Sequence, residues 1–276
     1  MYIGITVDKF KKLKISDVLK ITSMLGLQYV ELTESVLNED IDQLSSLLDS
    51  TRTGFHLPNE GDNGYDFSCR SYDQKIESVI NLVNTYKEKL NIEYCITHPP
   101  ECHPENFSQA ERIDTLLKNL SRLDCPLIIE NIPSLSIDEF DHFYDLAKTT
   151  LKDKILGICF DAPHAFIRGD DPIDMIHHLD GSIYSVHLSD CKKRHDLHLP
   201  FGLGGDLPID AILKELKKKG YEGNINLELM PRSLSDVTAV IDSYLKILRI
   251  FKIQKYRMTK FKVMLIRPFL KLYLSN

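Results

Sequence analysis

Short apolar runs alternate with amphipathic segments along almost the whole chain. The runs are four to seven residues long and are bounded by turn-forming residues, which predicts strands. Eight such strands are predicted, at Tyr2–Val7, Gln28–Leu32, Thr53–Leu57, Tyr94–Thr97, Pro126–Ile132, Leu156–Asp161, Ser182–Leu188 and Asn224–Leu229. The intervening segments carry apolar residues at helical spacing and predict eight helices, at Ser16–Leu25, Asp40–Ser50, Asp73–Leu90, Ser108–Leu123, Ser136–Thr149, Pro172–Leu179, Pro208–Lys219 and Ser233–Ile250.

This alternation favours one particular α/β architecture. Eight strand–helix units within 250 residues are typical of a (β/α)8 barrel, whose parallel strands are buried on both sides. A doubly wound sheet is the alternative, but it normally uses fewer strands, and no G-x-G-x-x-G motif follows the first strand. We therefore expect a single-domain (β/α)8 TIM barrel over residues 1–250, with functional side chains at the carboxyl ends of its strands.

Composition narrows the class of protein further. Of the 276 residues, 43% are hydrophobic and 27% are charged, which excludes collagen-like, coiled-coil and disordered chains. The formal net charge of -6 argues against a general binder of polyanions. No signal-peptide pattern and no membrane-spanning apolar run is present. The six cysteines are scattered without a C-x-x-C pair, as in reduced proteins, so we expect a cytoplasmic location.

The last 26 residues, 251–276, differ from the rest. They carry seven basic residues and no acidic ones, so this tail contributes +7 to the net charge of -6 and residues 1–250 carry -13. One interpretation is an extra helix packed on the outside of the barrel and interrupted at Pro268. The other is a basic amphipathic segment that contacts an anionic membrane surface or a partner weakly.

Six consecutive predicted strands end in histidine or carboxylate side chains. The motifs are FHLP with His56, THPP with His98, IEN with Glu130, FDAPH with Asp161 and His164, VHLSD with His187 and Asp190, and LEL with Glu228. A carboxylate in an apolar strand is costly to bury unless it is paired, hydrogen-bonded or bound to a metal. Because the barrel brings all six strand ends together, a shared site explains the pattern better than six separate structural accidents.

The candidate ligands offer oxygen and imidazole nitrogen without sulfur. Glu130, Asp161, His187 and Glu228 form a set that suits a divalent Mn, Co, Mg or Zn ion.

The segment after the seventh strand adds His195, Asp196 and His198, with Asp196 and His198 spaced to face the same side of an extended loop. Gly202, Gly204 and Gly205 permit a tight backbone path there. Lys193 and Arg194 suit contact with a substrate phosphate, although a solvated loop is their ordinary role. Asp190 suits a bond to the loop backbone. The remaining histidines, His103, His142, His177 and His178, are expected at the surface.

Together these motifs and the D-x-H-L-P-x-G-x-G loop resemble the xylose isomerase-like TIM-barrel superfamily over residues 1–250. That superfamily includes sugar-phosphate isomerases and epimerases as well as abasic-site nucleases of the endonuclease IV type. In the epimerase branch, the resemblance implies that Glu130, Asp161, His187 and Glu228 bind one metal. It also makes Glu130 and Glu228 the acid/base pair and places His164 on the substrate.

In the endonuclease IV branch, the resemblance implies three zinc ions. His56, His98 and Glu130 would bind the first, and Glu130 would bridge to a second that Asp161, His187 and Glu228 complete. His164, Asp196 and His198 would bind the third. Few basic residues border the site, which disfavours a grip on the backbone of a DNA duplex.

The leading hypothesis is therefore a metal-dependent isomerase or epimerase of a small sugar or sugar phosphate. Glu130 and Glu228 would move a proton next to a carbonyl, and the substrate would also contact His56, His98, Lys193, Arg194 and His198. The alternatives are a trinuclear zinc phosphodiesterase that acts on DNA, and a non-catalytic barrel that senses a ligand. The sequence sets no oligomeric state.

Overall fold

The computed structural model describes residues 1–8, 13–59, 67–69, 73–101, 108–233 and 236–275, so Cys102 and His103 lie outside the described residues. The strands are β1 Ile3–Val7, β2 Tyr29–Leu32, β3 Arg52–His56, β4 Ile92–Thr97, β5 Leu127–Glu130, β6 Ile155–Asp161, β7 Ile183–Leu188, β8 Asp190–Lys192, β9 His195–Leu199 and β10 Asn224–Leu227. The helices are α1 Ile15–Leu25, α2 Ile41–Leu48, α3 Asp73–Tyr86, α4 Gln109–Ser121, α5 Ile137–Leu151, α6 Ala162–Arg168, α7 Pro172–His178, α8 Ile209–Lys218, α9 Asp236–Phe251 and α10 Ile253–Ser275.

Eight of the strands close into a parallel barrel, which confirms the predicted architecture. Their order around the barrel is β1, β10, β7, β6, β5, β4, β3 and β2, and β1 pairs in parallel with both β10 and β2. All eight carboxyl ends therefore lie at one face, and the helices cover the outside.

Local sequence explains where the helices begin. Ser108 and Ser136 each accept a hydrogen bond from the backbone three residues later, and Glu111 and Glu139 reciprocate as capping boxes. One face of each helix then packs its apolar residues on the barrel, as Leu116 and Leu120 of α4 do. The predicted helices thus form with boundaries shifted by a few residues.

Two described elements at the carboxyl end were not predicted. Helix α6 begins directly at the end of β6, where Asp161 caps it and Pro163 occupies its first turn, so no turn signal separates the two. The segment predicted as a loop after the seventh strand contains the antiparallel hairpin β8–β9. Its strands are short and mostly polar, so they carry no apolar alternation.

The tail forms a helix that packs against the outside of the barrel. The predicted interruption at Pro268 is wrong, because α10 continues from Ile253 to Ser275. A proline removes only one backbone donor, and a helix can continue past it with a local adjustment. On the packed face, Thr259 and Val263 are buried, and the Lys252 ammonium donates to the carbonyl of Met1 at 2.7 Å.

Two further expectations can be compared with the described residues. Cys69, Cys95, Cys125, Cys159 and Cys191 are free and buried, as expected for reduced thiols. Within the described part of the chain, no helix combines the length and apolarity that crossing a membrane requires.

Candidate metal centre

The strand ends bring the predicted ligands into one buried group. Ligand atoms of Glu130, Asp161, His187 and Glu228 all lie within 4.8 Å of one another. We call these four residues the carboxylate–histidine cluster, and they come from β5, β6 and β7 and from the position after β10. Ligand atoms of His56, Glu130 and His187 likewise lie within 4.8 Å of one another.

Glu130 is the centre of the arrangement. Its Oε2 lies 3.2 Å from His56 Nε2, 3.5 Å from His98 Nε2 and 3.3 Å from His187 Nδ1. The Glu130 side chain is only 1% exposed, whereas that of Glu228 is 18% exposed. Glu228 is therefore the more accessible carboxylate of the cluster, and Glu130 is the buried carboxylate that contacts three histidines.

Helix α6 positions His164 through its own N-cap. Asp161 Oδ1 accepts from the His164 backbone N–H at 2.5 Å, and the Asn131 side chain bonds both backbone groups of Asp161 at 2.8 and 2.9 Å. The His164 Nδ1–H donates to the Asn131 carbonyl at 2.8 Å, which leaves Nε2 facing Asp196 Oδ2 at 3.1 Å. The sequence analysis did not single out Asn131, whose hydrogen bonds hold Asp161 and His164 in position.

Strand β9 supplies Asp196 and His198. They lie two residues apart on the same side of the strand, where their side chains are close to each other. His198 Nε2 lies 3.3 Å from Asp196 Oδ2, and His198 Nδ1 lies 3.3 Å from the Glu228 carbonyl. His198 has a φ of 44°, a left-handed conformation that is costly for a residue with a side chain. The hairpin therefore holds this imidazole at the site against a local backbone preference.

Asp190 organises the backbone behind the hairpin, as the sequence suggested. Its carboxylate accepts from the backbone N–H groups of Cys191 at 3.1 Å, Leu207 at 3.3 Å and Gly202 at 3.4 Å. A Cβ on Gly205 would collide with this carboxylate. Gly205 thus makes room for Asp190, whereas Gly202 and Gly204 have positive φ angles of 81° and 92°, in keeping with the tight backbone path expected from the sequence.

Glu31 on β2 is a site residue that the sequence analysis missed. It is fully buried, and its Oε2 lies 2.9 Å from His187 Nε2. Tyr29 Oη donates to Glu31 Oε1 at 2.6 Å and lies 2.5 Å from Tyr94 Oη, and Gly54 leaves the room that the Tyr29 hydroxyl needs. The signal was available, because Glu31 is a carboxylate in the apolar strand YVEL.

The histidines around the cluster share one bonding pattern. One ring nitrogen contacts a group outside the cluster: the Leu57 carbonyl for His56 at 3.0 Å, the Asn59 side-chain amide for His98 at 3.1 Å, and Glu31 for His187. The other nitrogen faces Glu130, as the second nitrogens of His164 and His198 face Asp196. Histidines that bind metals are held in this way, since the outer bond fixes the tautomer and aims the free nitrogen.

The carboxylates and histidines of the site shift one another's pKa values. Burial by itself lowers the pKa of His98, but the carboxylates of Glu130 and Glu101 outweigh it and raise that pKa to about 10. Burial also raises the pKa of Asp161 to about 7, while His198 and His187 outweigh burial at Glu228 and lower its pKa to about 2. Several carboxylates thus share one buried volume, where a cation lowers their mutual repulsion.

Two orphaned atoms show that a metal ion fits. Glu130 Oε1 and His98 Nε2 are buried and make no hydrogen bond to any described residue. Buried polar atoms are nearly always bonded, so both atoms are available as ligands. The oxygen and nitrogen donors suit a divalent ion of the Mg, Mn, Co or Zn type. The buried carboxylates and histidines therefore form a group that can bind a metal, whose identity the donors leave open.

Other predicted site residues lie elsewhere. Lys193 and Arg194 occupy the exposed turn of the hairpin, outside the buried cluster, and their contact with a substrate stays a prediction. His142, His177 and His178 are exposed on helices, as expected, and His178 pairs with Asp141 at 2.7 Å.

A comparison with protein families shows to which family the chain belongs. The sequence model described as xylose isomerase-like TIM barrel matches residues 19–249. The chain belongs to this family. The match covers the xylose isomerase-like barrel from α1 into α9 and includes all the residues of the candidate metal centre. No curated protein sequence matches closely enough to be recognised as a relative.

Solved structures share the xylose isomerase-like fold over nearly their whole length. A D-tagatose 3-epimerase-like protein is 21% identical with a TM-score of 0.66, and the match covers 90% of this chain and 98% of that one. An AP endonuclease, family 2, from Brucella melitensis is 15% identical with a TM-score of 0.66, covering 86% and 96%. A D-allulose 3-epimerase from Methylomonas sp., solved with D-allulose, is 13% identical with a TM-score of 0.66, covering 91% and 96%. The TM-scores establish the shared fold.

Proposed function

We propose that this chain is a divalent-metal-dependent isomerase or epimerase of a small sugar or sugar phosphate. The observation that carries the proposal is the convergence of Glu130, Asp161, His187 and Glu228, with Glu228 facing open space. The sugar 3-epimerases among the structural neighbours support the reaction class.

Each residue has a role that follows from its surroundings. A divalent ion held by the cluster would polarise a substrate carbonyl and stabilise the negative charge that develops next to it. The histidines that lower the pKa of Glu130 and Glu228 keep both carboxylates ionised, so either one is able to take a proton from the carbon beside the carbonyl. The other carboxyl group, after taking up a proton from water, donates it to the opposite face of that carbon or to the neighbouring carbon, and the first carboxyl group releases its proton to water. Asp161 and His187 hold the cluster, and His164 orients the substrate.

Glu228→Gln tests this reaction class. We expect solvent-deuterium exchange at the carbon beside the carbonyl of D-allulose or D-fructose, measured by NMR on the metal-loaded protein. The variant loses a ligand and half of the acid/base pair, so the exchange rate should fall by more than the roughly 10²–10⁴-fold typical of one general acid or base. Glu215→Gln, at a Glu–His pair far from the cluster, is the control. Undiminished exchange in Glu228→Gln would exclude the proposed pair.

One observation favours a second function, an endonuclease IV-like zinc phosphodiesterase. His164 Nε2 and His198 Nε2 both face Asp196 Oδ2, while His56 and His98 both face Glu130. These are the groups that a trinuclear zinc site needs. The charge of -13 on residues 1–250 opposes DNA binding, which is why the isomerase is the leading proposal.

Metal content separates the two functions. With one metal per chain, His56→Ala and His98→Ala should leave the metal content nearly unchanged. With three zinc ions, each substitution should remove close to one equivalent, measured by elemental analysis after purification without added metal. His177→Ala, at an exposed histidine, serves as the control.

We also propose that the outward face of α10 contacts an anionic membrane surface. Four large apolar side chains on this helix are more than half exposed, namely Met258, Phe261, Met264 and Leu265. Arg257, Lys260 and Lys262 lie among them, and α10 carries no acidic residue. Apolar side chains flanked by basic ones suit the interface of an anionic bilayer.

A further inference from the structure

A cavity of about 490 Å³ lies between β1 and the two helices that flank it. Its walls include Val18, Ile21 and Leu25 of α1 and Val237, Val240 and Ile241 of α9. These residues span about two turns of each helix, or roughly 10 Å of depth. Pockets that bind small molecules typically enclose about 300–1,000 Å³, so this cavity has the size of a ligand site.

The cavity adjoins the carboxylate–histidine cluster. Glu228 and His56 line it together with Thr6 and Leu229, all at the carboxyl ends of their strands. Glu228 is also the exposed member of the cluster. A molecule held at Glu228 can therefore extend a substituent directly between α1 and α9.

The chemistry of the walls restricts what this substituent is. Most of the described lining residues are aliphatic, including Ile5, Leu13 and Leu227 besides those of the two helices. A polyol chain carries a hydroxyl on every carbon, and the valine, isoleucine and leucine side chains of the walls cannot form hydrogen bonds with these hydroxyls. The walls suit an apolar group.

One buried hydroxyl in the wall has no hydrogen-bond partner among the described residues. Tyr244 lies on α9, is only 2% exposed and lines the cavity, and its Oη makes no hydrogen bond with any described residue. Burial raises the pKa of Tyr244, so the phenol stays protonated and is able to donate a hydrogen bond. Nearby Thr22, by contrast, donates to the Leu19 carbonyl at 2.8 Å. The free phenol therefore points to a ligand with a hydrogen-bond acceptor.

We propose that this cavity binds an apolar alkyl or aryl substituent of the substrate, joined to the sugar through an oxygen that accepts from Tyr244. The substrate is then a sugar conjugate that keeps the carbonyl needed for proton transfer, such as a keto sugar that carries an alkyl or aryl ether, in place of a free sugar. This inference rests on the function proposed above, because the sugar part has to lie at the cluster.

Calorimetric titration of the metal-loaded full chain with methyl, butyl and octyl β-D-glucoside, below micellar concentrations, tests the inference. Each buried methylene should tighten binding roughly threefold to fourfold, so butyl should bind at least about tenfold more tightly than methyl. Val240→Phe fills the cavity and should abolish this dependence on chain length. Ile173→Phe, at a partly buried position of α7 outside the cavity, should retain it. Tyr244→Phe should weaken butyl glucoside binding severalfold and leave the increment per methylene unchanged.

The outcomes separate this inference from the proposed function. Equal affinity across the series, no binding of octyl glucoside, or an undiminished chain-length dependence in Val240→Phe would overturn the inference. In that case, a normal metal content and proton exchange would leave the proposed function intact. Conversely, a chain-length dependence that survives in a protein without bound metal or exchange activity would support the cavity and refute the isomerase.

Discussion

At the residue scale, His187 shows how the fold prepares a ligand. Its Nε2 lies against Glu31 inside the barrel, and its Nδ1 lies 3.1 Å from Glu228 at the carboxyl end. A proton on Nε2 leaves the Nδ1 lone pair directed at the cluster. Glu31 thus decides which nitrogen is available, and the tyrosine hydroxyl bonded to Glu31 keeps that carboxylate in place.

Glu31→Gln should therefore weaken metal binding without removing a ligand. The neutral amide holds the imidazole less firmly and lowers its basicity, and loss of an outer partner typically costs about 10–100-fold in metal affinity. Competition with a chelator measures this affinity, and circular dichroism checks that the barrel is intact. Glu215→Gln, which alters a surface Glu–His pair, should leave the affinity unchanged. An affinity equal to that of the unaltered protein in Glu31→Gln would show that Glu31 has only a packing role.

Residue type and strand position were enough to predict most of this centre. Glu130, Asp161, His187 and Glu228 stand out because each interrupts or ends an apolar run. Glu31 has the same signature, but only the barrel closure shows that it reaches His187, which lies 156 residues later in the chain. Asn131 has an ordinary polar side chain, and only its bonds to Asp161 reveal its role.

At the element scale, the β8–β9 hairpin and the loop that follows it form one unit around Asp190. The sequence predicted that Asp196 and His198 face the same side, because alternate residues of an extended strand do so. It did not predict the hairpin, since β8 and β9 are short and mostly polar and show no alternation of apolar residues. The eight predicted helices, by contrast, followed from helical periodicity, with boundaries that differ by a few residues.

A double substitution tests this unit. Gly205→Ala should destabilise the protein by about 1–3 kcal/mol, since the added methyl group displaces the Asp190 carboxylate from its backbone donors. In an Asp190→Ala background the same change should cost less, because the collision is gone, and denaturant unfolding of the four proteins gives the coupling free energy. Equal costs in the two backgrounds would mean that Asp190 and Gly205 act independently.

At the scale of the whole molecule, α10 packs on the outside of the barrel against α9 and α1. Val263 is buried there, so the helix contributes to packing whatever else it contacts, and Lys252, the residue before α10, bonds to Met1. The charge pattern of the sequence identified the tail as a distinct segment. Its packed face could not be predicted, because the partner surface on α9 and α1 exists only in the folded barrel.

Deletion of residues 253–276 should lower the melting temperature by roughly 5–10 °C. Two or three partly or fully buried side chains are lost, and about 1 kcal/mol shifts the melting temperature of a chain of this size by about 2–4 °C. The metal content should not change, because every residue of the candidate centre precedes residue 251. Calorimetry and elemental analysis measure the two quantities, and loss of metal on deletion would tie the tail to the centre.

The full chain should also sediment with vesicles that contain phosphatidylserine and be released as salt rises, because salt screens the basic residues. Phe261→Asp should reduce this binding strongly, and Leu156→Asp, at another exposed apolar side chain, should not. Binding that is equally strong on uncharged vesicles, or dissociation of a dimer by Phe261→Asp, would argue against the proposed surface.

The candidate centre draws on both halves of the barrel, with Glu31 and Glu130 before residue 151 and Asp161, His187 and Glu228 after it. A chain divided in the turn after α5 would leave each fragment with an incomplete set of ligands and with unneutralised carboxylates. Only the reassembled pair would bind the ion firmly. The bound ion would then link the two fragments, and a chelator would weaken their association.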